Sequence, residues 1–503
     1  MHPGSPDLTK TLGLSVLVSA LLPGAAMALD WQIEPAIGAT TILTDNATQT
    51  KNGDGAFIVT VTPGIAVKSK GSRRVQASLD YGLSATERIG GGGTSDSDDL
   101  NHRLNATGKA EVAEDLLFIE GSANITQALT SLLGAPGDSS LDTGNRSTVG
   151  TYSLSPFLTK RFGTFGDGVL RFTQSGAIFE QNTGGDIASS ALLANFTSGS
   201  RFNDLLWGLN YSLRDASTDG RQDTQFESYG ATLGYALTRK FRLRGSFGYD
   251  NNDYPATAGT KTDGEYWTAG FDWSPSRRTS LEASFGKRYY GDNYALKFRH
   301  KMNRSVWHLQ YDEGASDIEQ QIRNTANLYA WQCTEGIFLH FSNVFPPEGR
   351  TECVLLAVLP PNSIALGTDQ GISINKTLRG GMTWTERRIT WSIDLFDTTR
   401  AYQELAGLPE DRTRGFQAGF NYKAAPHTSI NALLGLTNNQ VDGSLIAASN
   451  RDDDIYTLSV GVTHQFQPDL NGSLVFRHQQ RESSDSAQEF SENSLSATVT
   501  MRF

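Results

Sequence analysis

The chain is poor in sulfur and has little that reads as helix. Two cysteines, Cys333 and Cys353, stand in 503 residues. So few exclude a disulfide-dense scaffold, and without a CxxC pair a zinc ribbon is excluded too. The sequence contains no His-Glu-x-x-His and no P-loop, and its eight histidines are scattered. From Trp31 onward, apolar residues almost never recur at the spacing of an amphipathic helix. No later segment approaches the roughly 20 apolar residues of a membrane helix. Positive charge is in deficit: 43 Lys and Arg against 54 Asp and Glu leave a formal charge of -11. That balance argues against nucleic acid as a partner.

What is present is glycine, with 51 residues, and a 10% share of aromatics. Both suit a large β protein. Period-2 runs recur throughout, as in Tyr229-Ala231-Leu233-Tyr235-Leu237 and Tyr456-Leu458-Val460-Val462. Residues between them are mostly Gly, Ser, Thr, Arg, Glu or Asp, so each run has one greasy and one wet face. Most runs last about 10–14 residues, enough for a tilted strand to cross a bilayer. The mean hydropathy of -0.36 does not oppose this, because only alternate residues of such strands face lipid.

We expect strands at 31–44, 56–68, 73–87, 101–112, 116–128, 147–161, 168–180, 190–202, 205–216, 225–237 and 241–251. Further strands are expected at 264–274, 279–289, 293–301, 304–314, 370–384, 388–400, 412–424, 428–438, 453–465, 470–481 and 489–503. The expected fold is all-β: a transmembrane antiparallel up-and-down β-barrel of about 22 strands, within a range of about 18–22. Residues 1–28 read as a secretory signal. Lys10 precedes an apolar run broken at Pro23-Gly24, and Ala26-Met27-Ala28 is an A-x-A cleavage site. The barrel then occupies 29–503.

The connections supply an independent test. Links after even strands are short, as at Asn203-Asp204 and Ala425-Pro426-His427. Links after odd strands are mostly long and rich in Gly, Ser, Asp and Asn, as at 88–100 and 439–452; 290–292 is the exception. A soluble sandwich has no reason to sort loops by parity, whereas outer-membrane barrels do. Parity predicts that both termini are periplasmic. Residues 315–369 break the pattern and carry both cysteines. The segment reads either as an extracellular excursion or as a lumen-inserted constriction, and Cys333 and Cys353 could pair in an oxidising compartment.

Inward positions are expected at Arg242, Arg244, Glu282, Lys297, Arg299, Asp394 and Arg477, which alternate with apolar neighbours. They either tune a water-filled lumen or pair across its wall. Trp207, Trp267, Trp273, Trp307, Trp384 and Trp391 suit an interfacial girdle. The acidic groups Asp96, Asp98, Asp99 and Asp452, Asp453, Asp454 could hold calcium but suit solvated loops better. Gly137-Asp138-Ser139-Ser140-Leu141 faintly resembles a GDSL hydrolase block. The only Asp-x-x-His, at Asp99–His102, lies upstream rather than downstream, so no enzyme, catalytic residue, metal or cofactor is expected.

The chain ends in Leu495-Ser-Ala-Thr-Val-Thr-Met-Arg-Phe503. Leu495, Val499, Met501 and Phe503 share one strand face, resembling the barrel-closing signal of bacterial outer-membrane proteins. The stretch DWQIEPAIGATTILTDNAT carries Trp31, Pro35 and Thr44-Asp45-Asn46. It is similar to the opening of a family of outer-membrane β-barrels associated with the PEP-CTERM/exosortase system. The resemblance implies an outer-membrane barrel of a Gram-negative bacterium linked to exopolysaccharide production and surface sorting. It carries over no catalytic residues. Its implied partners are outer-membrane lipid, the barrel-assembly machinery and exopolysaccharide or export components.

Two functions remain open on sequence: a channel or secretion-associated conduit, and a non-conducting barrel that presents its loops to polysaccharide or surface proteins. A TonB-dependent importer fits the strand number alone. The first expected strand starts about three residues after the cleavage site, which leaves no place for the plug domain of such importers.

Overall fold

A computed structural model of the chain describes residues 30–503 apart from 71, 92–99, 130–133, 138–140, 142, 181–184, 318–319, 321–328, 334–335, 341–352, 358–370, 405–408 and 444–449. The expected signal segment lies outside the described residues. In chain order the strands begin β1 (Asp30–Thr44), β2 (Ala56–Lys70), β3 (Val75–Gly90), β4 (Leu100–Ala113), β5 (Leu117–Leu129), β6 (Arg146–Phe162), β7 (Gly166–Phe179) and β8 (Ile187–Ser198). They continue with β9 (Leu205–Thr218), β10 (Thr224–Thr238), β11 (Phe241–Asp253), β12 (Asp263–Ser276), β13 (Thr279–Arg288), β14 (Gly291–Lys301) and β15 (Ser305–Ser316). Three short strands follow: β16 (Tyr329–Cys333), β17 (Gly336–His340) and β18 (Cys353–Ala357). The last are β19 (Ser373–Glu386), β20 (Ile389–Tyr402), β21 (Glu410–Ala425), β22 (Thr428–Val441), β23 (Arg451–Gln467), β24 (Leu470–Ser483) and β25 (Phe490–Arg502).

Each long strand pairs antiparallel with the next, and β15 pairs directly with β19. β25 returns to β1, so 22 strands form one closed sheet. The expected strand count and order hold. The seam joins Leu43 to Leu495, Ala39 to Val499 and Ile37 to Met501 in register. The Phe503 amide donates to the Pro35 carbonyl at 2.9 Å. Closure leaves no open edge. At a strand spacing of about 4.8 Å and a tilt of about 40°, the ring is roughly 40 Å across.

The alternation in sequence becomes two walls. Leu209, Leu233, Phe247, Trp267, Phe285, Leu395 and Leu458 point outward and are exposed. A contiguous apolar outer belt of this kind is a lipid face. Hydroxyl ladders hold the inner wall: Thr60–Thr86 at 3.0 Å, Thr62–Ser84 at 2.9 Å and Thr40–Thr498 at 3.0 Å across the seam. Such cross-strand pairs reinforce register. Trp31, Trp267, Trp273, Trp307 and Trp391 are exposed on the outer face. Trp207 sits in an aromatic cluster with Phe165, Phe196 and Phe202 at the end of the barrel that carries both termini. No helix is long and apolar enough to cross a membrane among the described residues.

At the terminus end the turns are tight. Arg387-Arg388 alone joins β19 to β20, with Arg387 at φ +43°. The opposite, loop end carries the long connections.

Candidate functional site: the lumen

Six of the seven candidate lumen residues gather on one wall. Register neighbours run Arg242–Asp272–Glu282–Lys297–Gln310–Arg379 across β11 to β15 and on to β19. One step nearer the terminus end, Arg299 faces His308, His308 faces Gly381, and Gly381 faces Asp394. Outward neighbours such as Leu243, Phe271, Leu281 and Phe298 occupy the alternate positions, so the polar row faces in. Asp272 takes Arg244 at 3.3 Å and Arg242 at 3.9 Å. His308 lies 3.8 Å from Asp394. A Cβ on Gly381 would fall 2.4 Å from the Asp394 carboxylate and 2.7 Å from the His308 ring, so this contact needs glycine there.

The seventh candidate, Arg477, is on β24, far round the ring. It lies 3.2 Å from Glu492, which also accepts from Gln49 at 2.9 Å and from Thr44 at 3.2 Å. Nearby, Asp453 takes Arg481 at 2.7 Å and Arg451 at 2.9 Å. Arg481 also donates to the Gly134 carbonyl at 2.9 Å. Three strands away along the same side of the ring, Arg400 lies 2.7 Å from Asp411, which also accepts from the Tyr402 hydroxyl. These buried groups are neutralised in place and hold the wall together.

The loop end of the lumen is bridged by the chain itself. Between β5 and β6, Gly134 meets Arg481 of β24, and Leu141 packs with Ile42, Ala47, Ala56 and Ile58. Between β11 and β12, the Thr257 amide donates to the Gln403 carbonyl, beyond β20, at 2.9 Å. Just after β15, Asp317 pairs with Arg214 of β9, which also donates to Ser189 at 3.0 Å. Six strands of a circular 22-strand ring span a chord of roughly 30 Å at the strand spacing above. Two side chains reach only about 10 Å, so this pair brings β9 and the residue following β15 closer than a circular ring would. Burial keeps the phenols of Tyr254 and Tyr289, which touch at 3.4 Å beside this mouth, above their usual range and neutral.

Residues 315–369 contain a second, three-stranded sheet, with β16 between β17 and β18. Its side chains lie outside the described residues. The backbone register sets Cys333 opposite Cys353. β18 lies against β23, the twentieth strand of the barrel ring. Arg214 belongs to the ninth. The segment therefore meets wall elements eleven positions apart, half the circumference.

The acidic triplet on β23 does not converge. Asp453 faces the lumen, while Asp452 and Asp454 face out and accept from Asn438 at 2.5 and 2.9 Å. Strand pleating separates consecutive residues, which rules out one calcium cage here. No group of three metal-ligating side chains occurs among the described residues. Asp96, Asp98, Asp99, Ser139 and Ser140 lie outside the described residues. His102 faces out and pairs with the Tyr81 hydroxyl at 2.7 Å.

Sequence reasoning missed Gln49, Leu141, Arg214 and Gln403, which tie connections to the wall at the loop end. Arg214 alone carried a signal, as a cation at an inward position of a clear strand.

No family model matches the chain, and no curated protein matches it by sequence. Solved structures do match in fold. The FrpB iron transporter of Neisseria meningitidis is 12% identical, with a TM-score of 0.50 over 93% of this chain and 82% of that one. A ferric enterobactin receptor variant of Pseudomonas aeruginosa in complex with enterobactin is 9% identical, with a TM-score of 0.51 over 93% and 81%. At this identity the likeness is one of fold, and this chain has the closed-barrel build of those transporters and receptors.

Proposed function

We propose that this chain is an outer-membrane conduit closed at its loop end by its own connections, among them Asp317 and the small sheet of β16, β17 and β18. The observation that carries this reading is the Asp317–Arg214 pair together with β18 against β23. A ring roughly 40 Å across needs such filling to be impermeable. The lipid belt and closed sheet support residence in an outer membrane, inserted by the barrel-assembly machinery. The parity of the connections supports periplasmic termini. The similarity of the opening strand to exosortase-associated barrels supports extracellular polysaccharide or its export components as the partners served. Transport rather than catalysis is the activity proposed.

The same bridging contacts favour one second reading, a non-conducting barrel that presents its loops as a binding surface. Conductance separates the two. Ser316 and Ser373 are register partners, so an Asn-Gly turn can replace 317–372 without disturbing the sheet. A conduit gives rare openings in the intact chain and steady current in this deletion. Silence in both, with membrane insertion confirmed, would leave the binding barrel.

A further inference from the structure

The lumen wall between β11 and β20 is unevenly charged. Arg242, Arg244, Lys297, Arg299 and Arg379 face Asp272, Glu282, Asp312 and Asp394, and Asp312 accepts from Gln310 at 2.9 Å. Asp272 is shared by Arg242 and Arg244, and Asp394 is beside His308. Lys297, Arg299 and Arg379 have no ion-pair or hydrogen-bond partner among the described residues. Glu282 is the register neighbour of Lys297 but makes no ion pair with it. All three cations are exposed to the lumen. Lys297 and Arg299 are about 7 Å apart along one strand, and Arg379 stands two strands, about 10 Å, from Lys297.

The turns beneath this wall continue the charge. Arg239-Lys240, Arg277-Arg278 and Arg387-Arg388 occupy terminus-end links between β10 and β20. The chain as a whole is acidic, at -11, so the cations are gathered here against the overall balance. Trp267, Trp273, Trp307 and Trp391 of the same wall face out. Trp384 shares the face of its register partner Trp391, so among the described residues this wall turns no tryptophan platform inward for a neutral sugar to stack on.

We propose that this wall is a binding track for a linear polyanion, a chain bearing repeated carboxylates, admitted from the terminus end. Single exposed cations in a wet lumen hold a small anion weakly, because water and salt screen each contact. A ligand that touches several cations at once gains from the high effective concentration of each next contact. The track rests on the conduit reading of the lumen and names its cargo class.

The test uses the intact folded chain in detergent and labelled polygalacturonate oligomers, scored by fluorescence anisotropy. Galacturonate monomer and neutral dextran serve as competitors. Oligomers should bind in a salt-sensitive way and outcompete the monomer, and dextran should not compete. The triple variant K297Q/R299Q/R379Q should bind roughly tenfold more weakly while keeping heat-modifiable gel migration. R379Q alone, retained in case the triple variant misfolds, should weaken binding in the same direction. Undiminished binding by the folded variants, equal competition by dextran, or a monomer as effective as the oligomer would overturn the track. Binding is read without current. A barrel silent in a bilayer yet able to bind loses the conduit and keeps the track, and a conducting barrel that fails to bind does the reverse.

Discussion

Arg481 and Asp453 meet at 2.7 Å on the inner wall, with side chains 1% and 0% exposed. Arg451 approaches the same carboxylate at 2.9 Å, and Ser483 donates to it. Arg481 reaches on to the Gly134 carbonyl. One carboxylate thus ties β23, β24 and the connection folded in from β5. Removing one member of a buried ion pair leaves its partner charged and unpaired, which costs about 3–5 kcal/mol.

Asp453→Ala should therefore lower the unfolding free energy by about 3–5 kcal/mol, and Asp453→Asn by less. The measurement is the urea midpoint of the barrel refolded in lipid. A midpoint equal to wild type would mean that the two guanidinium groups find other anions and that this cluster does not hold the loop end.

The two faces of β23 should respond oppositely to charge. Leu458 points outward near mid-strand and is 41% exposed, whereas the adjacent Thr457 points into the lumen, where Gln479 donates to it at 3.3 Å. Leu458→Arg should cost about 2–4 kcal/mol, the depth-dependent penalty for arginine against lipid near the midplane. Thr457→Arg keeps its guanidinium in a polar lumen and should cost under about 1 kcal/mol. Equal costs in the same unfolding assay would contradict the assigned faces.

This pleating explains what was legible in the sequence. Alternation placed the strand now spanning Phe241–Asp253 at 241–251, and the one spanning Ser373–Glu386 at 370–384. It also set Arg242, Lys297 and Arg299 inward. Alternation could equally have warned that Asp452, Asp453 and Asp454 cannot share a face. What stayed hidden depends on how connections fold back. Gln49 is 3% exposed because it donates to Gln479 and Glu492, more than 400 positions away. Leu141 is buried against Ile42 and Ile58 only once its connection turns into the mouth. No local period encodes such contacts.

Cys333 and Cys353 should form a disulfide in the mature protein. Directly opposed residues of antiparallel strands have Cα atoms about 4.5–5.5 Å apart, within the range a disulfide spans. The backbone register puts these two residues opposite each other. Alkylation of the denatured protein should label neither thiol before reduction and both after it, read as mass shifts of the intact chain. Labelling without reductant would remove the disulfide and leave the small sheet held by backbone pairing alone.

Arg214 and Asp317 should act as the latch of the mouth. Their side chains are 10% and 13% exposed, so the pair is shielded from most solvent screening. It holds β9 to the residue following β15, which a circular ring would keep apart. Asp317→Ala removes the pair, while Arg214 keeps its bond to Ser189. Openings in a planar bilayer should become more frequent. Arg214→Met should do the same, because either change abolishes one attraction. The double variant Arg214→Asp/Asp317→Arg restores opposite charges in reversed order and should return the mouth toward wild-type closure. A simple loss of folding would not be repaired by the swap, so recovery separates a latch from general damage. If both single variants stay as quiet as the intact protein while the deletion of 317–372 conducts, the closure resides in the three-stranded sheet and not in this pair.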